Sequence, residues 1–170
     1  MIATLDIDNA CPVFAVPAPE DFQRWIECAL QQTEHRAKPV NVGIRIVDEM
    51  ESAQLNRDYR GKDYATNVLS FGSGLPEVVL RELEEIPLGD LAICAPVVER
   101  EATQQGKILD THWAHMVVHG VLHLNGFDHE NDDEAEQMEA LETRILATLG
   151  IADPYRVAST TAQQQSERAP

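Results

Sequence analysis

The stretch HGVLHLNGFDH, from His119 to His129, constrains this chain more than any other segment. His119 and His123 stand four residues apart, which on a helix puts both imidazoles on one face, about 6 Å apart along the axis. Asn125 and Gly126 mark the end of that helix, because glycine readily takes the positive φ of a helix stop. The chain can then turn back and offer His129 from outside the helix. Three neutral imidazoles suit zinc, whose catalytic sites commonly hold three protein ligands and leave one position open. Water in that position becomes hydroxide-like at neutral pH.

The bland alternative is three unconnected core or surface histidines, but the spacing across a helix stop favours a shared ion. No cysteine pattern lies nearby, so a catalytic use is expected over a four-ligand structural site. His112 and His115 precede the trio on a similar face. His115 is read either as a core histidine or as a group bonded beside the ion, and His112 as exposed; the isolated His35 receives no role. The extended metallopeptidase pattern H-E-x-x-H-x-x-G-x-x-H has the same spacing, with its proton-accepting glutamate in second place. That place is Gly120 here, and glycine cannot accept a proton. A metallopeptidase-like hydrolase would need a relocated base, with Asp128 nearest in sequence and Asp90 at a strand end.

A length of 170 residues and 44% hydrophobic content suit one folded domain. No run approaches the apolar length of a membrane span, and MIATLDIDNA has no basic region ahead of an apolar one. A mature cytoplasmic chain with no membrane partner is expected. Cys11, Cys28 and Cys94 are odd in number and unpaired in pattern, as in a reducing compartment. The net charge of -16 opposes a broad nucleic-acid footprint. The excess is local, however: Asp128 to Glu142 holds eight carboxylates and no Lys or Arg, read as a solubilising block. In LNRDYRGKDY, Arg57, Arg60 and Lys62 cluster where a phosphate polymer can approach.

Periodicity predicts strands at residues 2–8, 40–48, 66–71 and 88–94, with a surface loop from Gly72 to Pro87. Helices are expected at 20–35, in a short piece capped by Asp48 and carrying Met50, Ala53 and Leu55, and at 96–104, 110–124 and 132–149. The sum is an α+β domain: a small, mostly four-stranded sheet packed with helices over residues 1–154, then a disordered tail at 155–170. No internal repeat is present.

Together, LNRDYRGKDYATNVLSF, Gly89–Asp90 and HGVLHLNGFDHE closely resemble the YbeY family of bacterial endoribonucleases, from about residue 2 through Pro154. The resemblance implies one zinc ion per chain, held by His119, His123 and His129, and cleavage of single-stranded RNA. It also implies work in small-subunit ribosomal RNA maturation and ribosome quality control, with the small ribosomal subunit and assembly proteins as partners. The family's arginine before the T-D/N-V-L-S-F strand falls at Arg60, in the basic loop. A guanidinium matches two phosphate oxygens, though a plain surface salt bridge with Asp58 or Asp63 is the other reading. The chain departs from the family's usual HLLGYDH ending at Asn125 and Phe127, and Asn67 replaces a frequent aspartate. Asp90 and Asp128 are the candidate proton acceptors, and attack by the RNA's own 2′-hydroxyl is an open route. A zinc-stabilised, non-enzymatic ribosome-assembly factor is the remaining alternative. An aromatic content of 5% offers no regular base-stacking series.

Overall fold

The computed structural model describes residues 3–33 and 38–155. His35 and the expected disorder beyond Tyr155 lie outside those residues. Four strands, β1 (Ala3–Asn9), β2 (Val40–Val47), β3 (Val68–Gly72) and β4 (Ile86–Cys94), form one sheet in the order β1-β2-β4-β3. The pairs β1–β2 and β2–β4 are parallel, whereas β3 runs antiparallel to β4. Helices α1 (Pro19–Gln31), α2 (Glu49–Arg60), α3 (Glu77–Glu82), α4 (Ala95–Gln105), α5 (Leu109–Leu124) and α6 (Asp132–Thr148) complete an α+β fold.

Side-chain alternation in β2 sets the two faces of the sheet. Val40, Val42, Ile44 and Ile46 point into the main core, while Asn41, Gly43 and Arg45 point away from it. On that outer face Arg45 ties Asp8 to Glu51. The main core is closed by α1, α5 and α6, with Phe22 set edge-on against Trp25 and Trp113 at 5.8 and 5.9 Å. Helix α5 is enclosed on almost every side: Trp113, Ala114, Val117, Val118, Val121 and Leu122 are all buried. A helix that is apolar all round belongs in a core, so each polar residue on α5 needs a partner to stay there.

Two expectations need correction. The Gly72–Pro87 segment contains a short helix, α3, and its last residues already belong to β4. Helix α3 buries none of its residues, so no apolar stripe signals it. The basic loop is also partly helical, since α2 runs through Arg57 to Arg60 and ends at Gly61 with φ 70°. Asp48 caps α2 as expected, accepting from the Glu51 amide at 2.9 Å. The buried face of α2 is polar, however. Ser52 bonds the Thr66 backbone in both directions at 3.0 Å, and Asn56 donates to the Tyr64 carbonyl at 2.8 Å. These bonds satisfy the loop leading into β3, while Met50 on the same helix is 81% exposed. Hydrophobic periodicity cannot detect a helix that packs through a serine and an asparagine.

Candidate metal centre

His119 and His123 project from the last two turns of α5. The helix stops at Asn125, whose side chain bonds back to the Val121 carbonyl at 2.9 Å, and Gly126 takes φ 92°. That turn carries the chain around to His129. One ring nitrogen from each of His119, His123 and His129 lies within 4.8 Å of the other two. The Nε2 atoms of His119 and His123 are 3.1 Å apart. Two ligand nitrogens on a tetrahedral zinc with bonds of about 2.05 Å stand roughly 3.3 Å apart. The spacing fits.

Proton placement strengthens that fit. His119 Nδ1 lies 2.7 Å from Glu142 Oε2, and Glu142 is fully buried on α6. Burial alone would raise the Glu142 carboxyl, but hydrogen bonds from His115 and His119 outweigh it and bring it down to about 2. Glu142 is therefore an acceptor only, His119 Nδ1 carries the proton, and its Nε2 presents a lone pair. His123 turns its Nε2 toward that of His119. At this distance one cation could take both nitrogens as ligands. The donor set suits a divalent ion of borderline softness.

Glu142 accepts two further bonds. His115 Nε2 is 3.3 Å from Oε2, and the Tyr155 hydroxyl donates to Oε1. His115, His119 and Glu142 form a second group with metal-ligand spacing, buried rather than open. Burial lowers the His115 value most strongly, so its ring stays neutral as a donor to Glu142. His115 thus belongs both to the core and to the group beside the candidate ion. His112, expected at the surface, is 2% exposed and bonds Glu101 through Nε2 at 2.9 Å. Asn67 donates to both oxygens of Glu101 at 3.1 and 3.2 Å. Burial raises the Glu101 carboxyl, and the bonds from His112 and Asn67 bring it below its ordinary value. An aspartate at position 67 would set two carboxylates against each other here.

The histidine trio opens into a cleft of about 700 Å³ whose other walls come from Tyr59, Arg60, β3 and Asp128. Arg60, at the end of α2, makes no ion pair among the described residues. Arg57 is engaged with Asp63 at 2.9 Å. Asp128 lines the cleft and accepts from the His129 amide at 2.8 Å. Asp90 is elsewhere. It pairs with Gly43 and Phe71 across the sheet, alternates with the core residue Leu91, and lays its carboxylate over Gly43 on the outer face. The period of two turns Asp90 away from α5, so it is no candidate proton acceptor. Gly120 presses against the sheet: a Cβ there would stand 2.8 Å from Leu91 Cδ2 and 3.3 Å from Val68 Cγ2.

Sequence reasoning missed Glu142 and Tyr155. Glu142 was read as part of the solubilising acidic block, yet it lies four residues after Met138 and three before Ile145, on the buried stripe of α6. A carboxylate in the apolar register of an amphipathic helix is the signal that could have found it. Tyr155 falls in the expected tail, one residue beyond the expected domain end, and instead packs at 5.4 Å from the His115 ring. All three cysteines are buried and free, and burial raises their thiols, as befits inert fillers.

Fold and site together define a single α+β domain whose central helix presents a metal-capable histidine cluster to an open cleft. A family profile described as Endoribonuclease YbeY matches residues 7–150. An Endoribonuclease YbeY of Stenotrophomonas maltophilia is 55% identical over 149 residues, covering 88% of this chain and 91% of that protein. One from Stutzerimonas stutzeri is 56% identical over 153 residues, covering 89% and 91%. The chain belongs to the Endoribonuclease YbeY family. A solution structure of a Thermotoga maritima protein shares the fold at a TM-score of 0.50 and 22% identity, covering 90% of this chain and 99% of that one. No helix among the described residues is long and apolar enough to cross a membrane.

Proposed function

We propose that this protein is a zinc-dependent endoribonuclease acting on single-stranded RNA in the cytoplasm, in small-subunit ribosomal RNA maturation and ribosome quality control. The observation that carries the reading is one cleft holding three convergent imidazoles, carboxylates and an arginine with no ion pair among the described residues. Membership of the Endoribonuclease YbeY family supports the substrate class. His119, His123 and His129 would hold one zinc ion per chain, with the small ribosomal subunit and its assembly proteins as partners. When bound, the ion supplies Lewis acidity toward a phosphate oxygen and toward water.

The chain's own residues do the rest. Arg60 reaches the cleft from the end of α2 and offers a planar pair of donors to phosphate oxygens. In the reaction it would orient the phosphate and stabilise the charge that develops on it. Asp128 would accept a proton from the attacking hydroxyl, whether that belongs to water or to the RNA's 2′ position, and its position in the cleft lining supports that role. The relocated-base peptidase reading loses Asp90, and a side chain at Gly120 would start out pressed against Leu91 and Val68 of the sheet. A non-enzymatic assembly role would leave the open cleft and Arg60 without chemistry.

The deciding experiment offers defined single-stranded RNA, matched single-stranded DNA and an unfolded peptide to native and metal-stripped protein. Histidine variants exclude contaminating nucleases. Zinc-restored cleavage confined to RNA supports the proposal, and peptide cleavage alone, or RNA binding without cleavage, overturns it. Cyclic phosphate ends would identify the 2′-hydroxyl as nucleophile.

A further inference from the structure

Residues 151–155 run back from the end of α6 along the buried side of the histidine cluster. Ile151 donates to the Leu146 carbonyl at 2.8 Å, and Lys107 bonds the Pro154 carbonyl at 3.1 Å. Asp153 accepts from the Tyr155 amide at 2.8 Å. These bonds deliver the Tyr155 ring to His115 and its hydroxyl to Glu142 Oε1. The other oxygen, Oε2, is the one that His119 contacts. A fully buried carboxylate with several lone-pair sites is costly unless each oxygen has a donor. Here the C-terminal segment supplies one of those donors.

We propose that Tyr155 is a positioning residue for the metal centre: its hydroxyl, with His115, fixes the Glu142 carboxylate so that His119 keeps its proton on Nδ1 and turns Nε2 to the ion. The inference rests on the reading of His119, His123 and His129 as ligands and extends it beyond them. A histidine whose second nitrogen is held by a carboxylate is oriented in one tautomer and is a more basic ligand. Without the tyrosine donor, Glu142 can turn and His119 is freed to place its proton on either nitrogen. Coupling between two sites is reciprocal, so the ion must also tighten the 151–155 segment.

The test uses the full chain with Tyr155→Phe and Glu142→Gln. The first removes one hydroxyl and keeps the ring on His115; the second keeps the shape of the buried group and removes its charge. Zinc affinity is measured by competition with a chelator, and the His119 tautomer by imidazole 15N chemical shifts of the metal-free protein. Glu142→Gln should weaken zinc binding about 10- to 100-fold, the range for losing an outer partner, and Tyr155→Phe roughly 3- to 10-fold. Both should shift His119 from the Nδ1–H form toward a mixture, which a purely structural role would not do. Zinc should slow amide exchange at Ile151–Tyr155 in the wild type, and less so in Tyr155→Phe. Wild-type zinc affinity and an unchanged His119 tautomer in Tyr155→Phe would overturn the inference alone, whatever Glu142→Gln does. A wild-type chain that takes up no zinc overturns the proposed function with it.

Discussion

Two carboxylate–histidine pairs flank α5, and they have different fates. Glu101 meets His112 near the start of the helix, and Glu142 meets His115 and His119 further along. The Glu101 side chain keeps 27% of its exposure and spends its remaining bonds on Asn67, which tethers the entry to β3. Glu142 keeps none, and its bonds lead to a ring whose far nitrogen opens on the cleft. The same chemical couple thus closes a packing seam on one side and aims a ligand on the other. What separates them is where the second imidazole nitrogen goes.

The widest test of that contrast removes each histidine in turn. His119→Ala should weaken zinc binding by more than about 100-fold, beyond the loss caused by an outer partner. His112→Ala should leave metal content intact and lower stability by about 1–3 kcal/mol, the cost of a partly buried group left without its bond. Metal analysis beside urea unfolding checks both, and comparable metal loss in the two variants would erase the distinction.

Acid should separate the Glu142 pair next. Its carboxyl sits at about 2 in the fold against an ordinary 4.5, so its contribution is complete above about pH 4.5 and disappears as pH falls toward 2. The difference corresponds to roughly 3 kcal/mol at 1.36 kcal/mol per unit. Metal-free wild type should lose about that much more stability than Glu142→Gln between about pH 5 and pH 2. Parallel unfolding profiles would contradict the assignment.

Arg60 serves as a probe of the cleft outside both pairs. Arg60→Ala should reduce RNA turnover about 100-fold, as for loss of one charge-stabilising donor, with zinc content and thermal midpoint unchanged. Arg60→Glu should be slower still, since it adds repulsion to the missing donors. Equal turnover in all three proteins would remove the phosphate-contact role. The smallest effect belongs to Glu101→Gln, which keeps the shape and should cost about 1 kcal/mol or less while leaving zinc affinity unaltered. A tenfold weaker affinity there would make the two pairs equivalent.

The strands, the long helices and the histidine return were legible because each has a period or a stop signal. Val40, Val42, Ile44 and Ile46 alternate, Phe22 through Leu30 repeat at helical spacing, and Gly126 marks the turn. The illegible parts rest on pairing over distance. Asn56 and Ser52 look like surface residues until the backbone at 64–66 lies beside them. Glu142 looks solvated until His115, His119 and Tyr155 converge on it from 27, 23 and 13 residues away in sequence. Asp90 reads from the sequence as lying at a strand end, but β4 already begins at Ile86, and alternation along it turns Asp90 to the outer face.

Gly120 carries a consequence for descent. A single codon change would give this helix the glutamate of the metallopeptidase pattern, and the flanking histidine spacing is already in place. The side chain would arrive against Leu91 and Val68, where even one methyl group crowds the sheet. A lineage moving from this site to peptide hydrolysis would therefore have to widen the seam between α5 and the sheet before the new base was of any use. The intermediates would be poorly packed and without the new activity, so selection would hold the two chemistries apart although their ligand spelling is nearly the same.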